Sequence, residues 1–462
     1  MLEESEVQRL LLSGHGRLPH AVVLFLRFSE ASEARQVLQD LTGRVTFGED
    51  HHEHCRLQLA LGFPLLELLG LPSRTLEGFP PEFQEGTLTS ARLQHLGDHG
   101  SSSPECWHWG ARPEDQVHLA LFFYARDAQE RDEFSPPLPA GAQVLYRQNM
   151  DLPADHREPF GFRDGLSQPQ ILGRHPRPGG PNPEEISDPI APGEFILGYP
   201  NQRGHHPPSP PVCPDCDPED LLSPHANRPG AKDLGKNGSY LVIRQLQQHV
   251  ETFRTFLRET AAAFPEPEKD EEWIAAKMVG RWPDGRPLSL CPLSEDPPPN
   301  DQKEKAPFSF RSLDPKGHRC PLGAHIRRAN PRDSLIPDAK RSLFFSNLHR
   351  IIRRGRIYRS PDGKEVGLLF LCFNSSIRDQ FEFIQHDWLN STKFDGQLDC
   401  DSDPISGAQD PDDPALTDNF TIQARPLRSR ITGLPRFVDV RGSAYLFCPG
   451  KAALKWLSQP LR

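Results

Sequence analysis

The run Cys320-Pro-Leu-Gly-Ala-His-Ile-Arg-Arg-Ala-Asn-Pro-Arg-Asp333 sets one imidazole, His325, between a Pro-Leu-Gly turn and a second turn forced by Pro331. Two arginines, Arg327 and Arg328, follow one residue after the histidine. An imidazole held between rigid turns can offer a ring nitrogen to a metal, while nearby guanidiniums face anionic groups. Those are the demands of an axial haem ligand beside propionates. Taken alone, the pattern also fits a histidine at a surface or core edge. A second stretch, Gly161-Phe-Arg-Asp-Gly165, places one carboxylate, Asp164, between two residues that lack Cβ. Such a backbone can turn tightly and come close to a flat ligand. Ordinary Asp-Gly turns share the local pattern, as at Asp284-Gly285, Asp362-Gly363 and Asp395-Gly396.

Together the two stretches resemble the dye-decolourising peroxidases, a haem enzyme family marked by Gly-x-x-Asp-Gly, here Gly161, Asp164 and Gly165. The resemblance continues through Leu166-Ser-Gln-Pro-Gln-Ile171, Glu194-Phe-Ile-Leu-Gly-Tyr199, Gly280-Arg-Trp282, the His325 segment and Gly367-Leu-Leu-Phe370. It therefore spans nearly the whole chain, and the length and proline-rich middle are closest to the larger bacterial and fungal (C/D-type) members. It implies a peroxidase with haem b that reduces hydrogen peroxide to water and oxidises small aromatic donors, among them dyes and phenols, one electron at a time. The rival is a non-catalytic haem carrier or sensor on the same fold, which needs neither a distal carboxylate nor a distal guanidinium.

The resemblance also assigns roles. His325 becomes the proximal ligand, with Asp403, in Asp403-Pro-Ile-Ser-Gly407, accepting its other N–H and raising its basicity. On the distal side Asp164 moves the proton, as general base and then acid. Arg353 stabilises the departing hydroxide as a permanent charge. The arginine is chosen from His349-Arg-Ile-Ile-Arg-Arg-Gly-Arg-Ile-Tyr358 because the family places it five residues before an aromatic, here Tyr358. Ile357 stands where the family usually has proline, and Arg354 is the alternative. Gly161, Phe162 and Gly165 belong to the cofactor-binding motif, and Arg281 and Arg327 are propionate candidates. Leu368 and Phe370, two apart on one strand face, restrict the distal space. Tyr358 and Trp388 are either electron relays or packing.

These residues need elements to hold them. Ala21–Phe28 reads as a buried strand and Ala31–Leu41 as a helix capped by Ser29. Strands follow at Arg56–Phe63, Val117–Tyr124 and Gln143–Arg147, with a helix at Asp127–Phe134. Strand-helix-strand twice over predicts an antiparallel sheet covered by helices, the ferredoxin-like arrangement. Ser239–Gln245 opens a second series. Helices follow to about Ala263, over Glu271–Val279 and over Ile377–Leu389, with strands near Arg350–Arg356, Val366–Phe373 and Ser443–Phe447. The resemblance implies an α+β fold of two ferredoxin-like domains, 1–150 and 237–462, with haem in the second. Residues 151–236 connect them, carrying the Gly-x-x-Asp-Gly motif and, at 201–236, a proline-rich stretch read as a mobile insertion.

Composition sets outer bounds. The 36% hydrophobic residues and 462-residue length allow a large buried core, and the 49 prolines point to long ordered loops. Net charge of −10 argues against general nucleic-acid binding. No stretch reaches the roughly 20 apolar residues of a membrane helix. Met1–Glu6 lacks a basic region or twin arginine, so a cytoplasmic location without membrane contact is expected. Cys213-Pro-Asp-Cys216 after His205 and His206, and His51-His-Glu-His-Cys55, are the two stretches that could hold zinc. A structural zinc site needs four ligands at paired spacing, and there is no second Cys-x-x-Cys. The oligomeric state is not legible in the sequence.

Overall fold

The apolar run after His20 is too continuous for a strand with one wet face, and the structure buries both of its faces. The computed structural model describes residues 2–48, 54–136, 138–174, 188–298, 308–396, 401–409 and 417–460. Strands β1 (His20–Phe28), β2 (Cys55–Leu61), β3 (Leu119–Ala125) and β4 (Ala142–Asp151) form an antiparallel sheet in the order β2-β3-β1-β4. In the second half β5 (Ser239–Gln248), β6 (Ile352–Arg353), β7 (Arg356–Arg359), β8 (Val366–Asn374) and β9 (Val438–Cys448) repeat that order. Here β9, β5 and β8 lie side by side, and β6 and β7 act as one interrupted strand along β8. Both halves therefore have the ferredoxin-like strand order.

The two sheets meet edge to edge. Phe447 of β9 pairs with Leu61 of β2, and Met150 and Asp151 of β4 pair with Tyr358 and Ile357 of β7. A closed antiparallel barrel results, which leaves neither sheet with a free edge. Alternate residues of each strand then serve different layers. Ala21, Val23 and Phe25 of β1, Phe122 and Tyr124 of β3, Leu241 and Ile243 of β5, and Leu369 and Leu371 of β8 share the inner cluster. Val22, Leu24 and Leu26 face outward onto Ala34, Val37, Leu38 and Leu41 of helix α1 (Ala31–Thr42). The predicted Ser29 cap is not made; Glu30 precedes the helix and caps nothing with its side chain. Helix α2 (Ala128–Glu133) is capped by Asp127, whose carboxylate accepts the Glu130 N–H at 2.8 Å.

Residues 201–236 correct the expectation of a mobile insertion. Val212, Leu222 and Leu234 are buried in the outer core, Pro211–Val212 pairs with Lys232–Asp233, and Trp456 donates its indole N–H to the Cys216 carbonyl at 3.0 Å. Prolines gave the segment loop chemistry, yet its three spaced apolar residues have a core to enter.

His118, just before β3, makes an acid-sensitive contact. Its Nδ1 accepts the Phe28 N–H at 3.3 Å, which needs a neutral ring. Burial, helped by the Arg27 charge, lowers its pKa to about 4. The unfolded chain takes that proton near 6.5. Between those values the unfolded state binds more protons, so this contribution is complete above pH 6.5 and is lost as pH falls towards 4. The expected melting temperature declines below pH 6.5, and less steeply in His118→Asn, which keeps an acceptor but cannot titrate. Parallel declines in thermal melts of the two proteins would place the acid sensitivity elsewhere.

Candidate active site

The outer face of the second sheet is not fully covered by helices. Leu246 and Gln248 of β5, Leu368 and Phe370 of β8, and Val438 and Val440 of β9 floor a cavity of about 320 Å³. Its walls come from the 158–167 loop, the His325 segment, Arg350–Arg353 and the Leu96–Ser102 loop of the first half. The volume is that of a small-molecule or cofactor site.

On one wall His325 begins the short helix α3 (His325–Ala329), after a turn in which Ala324 N–H donates to the Pro321 carbonyl at 3.0 Å. Its Nδ1 lies 3.1 and 3.0 Å from the two carboxylate oxygens of Asp403. Asp403 is held in turn by the N–H groups of Ile405 (3.0 Å) and Ser406 (2.8 Å). Burial disfavours both charges. The Asp403 carboxylate outweighs that for His325 and raises its pKa, and the imidazole outweighs it for Asp403 and holds the carboxyl below the usual range. With Nδ1–H committed to Asp403, Nε2 keeps the lone pair that could bind a metal.

The same cavity holds Asp164 and Arg353, with Asp164 Oδ1 3.8 Å from Arg353 Nη1. Arg353 stands opposite Cys372 on β8, two residues beyond Phe370, so it shares the face of Leu368 and Phe370. Its Nη2 donates to the Leu166 carbonyl at 2.9 Å and its N–H to Gln168 Oε1 at 3.1 Å. Arg354 faces elsewhere and donates to the carbonyls of Leu10 and Leu11. Gly161 and Gly165 have φ of 101° and 80°, and a Cβ on either would meet nothing within 4 Å. They supply the positive-φ turns of the motif, and Phe162, Arg163 and Asp164 between them line the cavity.

The arginines redistribute. Arg281 lines the cavity and donates to the Ser167 hydroxyl at 2.9 Å. Arg327 does not line it. Its guanidinium is fully buried over Phe310, bonds the carbonyls of Asp314 and Cys320, and lies 3.7 Å from the Asp314 carboxylate. Two arginines missed in the sequence take its place. Arg332 reaches the Ser167 hydroxyl at 3.4 Å and Arg350 the Ser167 carbonyl at 2.9 Å. Ser167 itself has a φ of 57°, an unusual backbone for a residue with a Cβ. Burial, then the neighbouring guanidiniums, lowers Arg332 to about 9, and burial lowers Arg350 to about 10. Arg332 was within the stretch first singled out, and its place in a second turn was the available signal. Tyr358 and Trp388 are buried; Trp388 packs edge-on against His349 at 5.3 Å.

Among the described residues no group of three or more His, Cys, Asp or Glu is placed to hold a metal ion. Part of the His51–Cys55 cluster, 51–53, lies outside the described residues. Cys213 and Cys216 do not line the cavity. Replacing both with Ser is expected to leave haem content and peroxidase rate within about two-fold of the parent, in line with surface substitutions remote from a site. Loss of folded protein, with zinc bound by the parent alone, is the contrary result.

The cavity on this α+β barrel thus gathers a histidine-carboxylate pair, an acid-guanidinium pair and three arginines, a set able to hold an anionic, metal-bearing cofactor. Residues 226–409 match the family model described as Dyp-type peroxidase, C-terminal. The multifunctional dye peroxidase DyP2 of Amycolatopsis sp. is 29% identical, over 98% of this chain and 95% of its own. The dye-decolorizing peroxidase msp1 of Mycetinis scorodonius is 30% identical, over 81% of this chain and 71% of its own. A DyP-type peroxidase of Anabaena sp. superposes with a TM-score of 0.74 over 98% of this chain and 94% of its own, at 23% identity, which shows the fold. The chain belongs to the dye-decolourising (DyP-type) peroxidase family. It is a haem-dependent enzyme acting on peroxide, with haem b as cofactor. The cavity fits that group: one imidazole faces it with its second nitrogen already committed, and concentrated buried positive charge suits two propionates.

Proposed function

We propose that the chain reduces hydrogen peroxide through Asp164 and Arg353 and draws electrons singly from dyes, phenols and other small aromatic donors. The observation carrying this reading is the Asp164–Arg353 pair, 3.8 Å apart, in the same cavity as His325. When bound, haem supplies the iron that accepts the oxidising equivalents of peroxide and passes them on one at a time.

The chain's own residues do the rest. His325 would hold the iron through Nε2, and Asp403, by accepting the Nδ1–H hydrogen bond, makes Nε2 a stronger donor. Arg281, Arg332 and Arg350 would hold the propionates. Asp164 takes a proton from one peroxide oxygen and returns it to the other, so that water leaves rather than hydroxide. Arg353 stabilises negative charge on the departing oxygen without moving a proton. Leu368 and Phe370 narrow the space to something peroxide-sized, so bulky donors are served at the cofactor edge.

The test is turnover by protein loaded with haem b. A Soret band that changes with peroxide and recovers with a phenol or dye, with donor oxidised in proportion, is the expected result. A stable Soret band with no donor oxidation would instead identify a haem carrier.

A further inference from the structure

Asp164 sits on a loop, residues 152–168, that has no regular strand or helix. One side chain does much of the work of folding it. The Glu158 N–H donates to the Phe162 carbonyl at 2.9 Å, and the Glu158 carbonyl accepts the Gly161 N–H at 2.8 Å. Its carboxylate bends back into the same turn. Oε1 accepts the Phe162 N–H at 2.9 Å and Oε2 the Phe160 N–H at 3.0 Å. Oε2 also accepts from Nε2 of Gln248, at the end of β5, at 2.6 Å. The turn is thus tied to the barrel wall by a side chain that itself lines the cavity.

The ties on either side complete the frame. Phe160 packs against Phe253 at 4.5 Å between ring centres, and Phe162 is buried in the same cluster. Past the turn, Arg163 N–H donates to the Pro283 carbonyl at 3.0 Å and Asp164 N–H to the His156 carbonyl at 2.9 Å. Burial raises the Glu158 carboxyl; the Gln248, Phe160 and Phe162 donors oppose this, and the nearby Asp164 charge adds to the rise.

We propose that Glu158 is a positioning residue for peroxide reduction: tethered by Gln248, it sets the backbone from Phe160 to Asp164 and so the placement of the Asp164 carboxylate relative to Arg353. The proposal rests on the reading of Asp164 as the proton-transfer group. A misplacement of about 1 Å at a reacting group can cost about 10²-fold in rate. A salt bridge or cap elsewhere in the loop would not have this consequence, since among the described residues only Glu158 joins both loop amides to the sheet that carries Gln248.

The experiment is a double-mutant cycle on haem-loaded protein, read as the second-order rate of the Soret change on mixing with peroxide. The variants are Glu158→Ala, Glu158→Gln, Gln248→Leu and Asp164→Asn, with Glu158→Ala and Gln248→Leu also combined with Asp164→Asn. Glu158→Ala is expected to slow the reaction about 10- to 100-fold at unchanged haem content. Glu158→Gln and Gln248→Leu should lose less, because each keeps part of the hydrogen-bond set. In the Asp164→Asn background the same changes should alter the rate by less than about two-fold. Equal losses in both backgrounds, or parent rates for Glu158→Ala and Gln248→Leu, would overturn the proposal. So would loss of haem and of cooperative melting in all three Glu158 and Gln248 variants, which would make the pair a folding element. A parent rate for Asp164→Asn alone overturns the reading of Asp164 itself, and is distinguished by that single variant.

Discussion

His325→Ala is expected to yield folded, soluble protein that is nearly colourless. Removing an outer partner of a metal ligand typically costs about 10- to 100-fold in metal affinity, and removing the ligand itself should cost at least that. The remaining cavity offers no equivalent. His349 lines it, but its Nδ1 bonds the Asp379 carbonyl and its ring is stacked on Phe383 at 3.8 Å. His318 is exposed and does not line the cavity. The substitution also strips the buried Asp403 of its imidazole, although Ile405 and Ser406 still bond it. Some stability is therefore lost with the colour, and the apo form of the parent is the control for melting. Haem content per chain and the Soret spectrum are the measurements. A full-strength band with unchanged ligation would move the axial role elsewhere, His349 first.

The second large effect concerns the distal pair. Asp164→Asn removes the acceptor for the peroxide proton, a function typically worth about 10²–10⁴ in rate, although water can substitute in part. Arg353→Leu removes charge stabilisation, typically worth about 10²–10³. It also frees the Leu166 carbonyl, so a small local shift accompanies the electrostatic loss. Neither residue contacts His325 or Asp403 by a hydrogen bond, and both variants should retain haem. Stopped-flow mixing with peroxide, following the Soret band, separates the two roles. The Asp164 variant should remain slow at every pH, whereas the Arg353 variant, which keeps the carboxylate, should still respond to pH at a lower level. Parent rates in both variants would remove this pair from catalysis and favour the carrier.

The sequence by itself determined the features that depend on neighbours a few residues apart. Continuous apolar runs in β1 and β3 announced strands buried on both faces. The helix expected over Glu271–Val279 forms with those bounds, and Asp270 caps it, its carboxylate accepting the Trp273 N–H at 2.8 Å. The alternation Leu368, Phe370 placed both on one strand face, because side-chain direction in a strand repeats every two residues. The same rule separates Arg353 from Arg354 once the strand is known, as the first faces Asp164 and the second the Leu10 and Leu11 carbonyls. The family resemblance, not local pattern, brought His325 and Asp164 together, and the need for an acid behind the histidine brought in Asp403.

Other assignments were settled only by the tertiary structure. Arg327 and Arg332 lie in one short stretch and have identical side chains, so nothing local ranks them as propionate partners. Arg327 is two residues past His325 on a helix, about 200° round the axis, which turns it into the core beside Phe310 and Asp314. Arg332 follows the proline-bearing turn and comes back to Ser167, where Arg281 and Arg350 arrive from distant segments. The packing of residues 201–236 and the closing of two sheets into one barrel are of the same kind. Both depend on which surfaces meet, and hydrophobic pattern states only that a face must be covered, not by what.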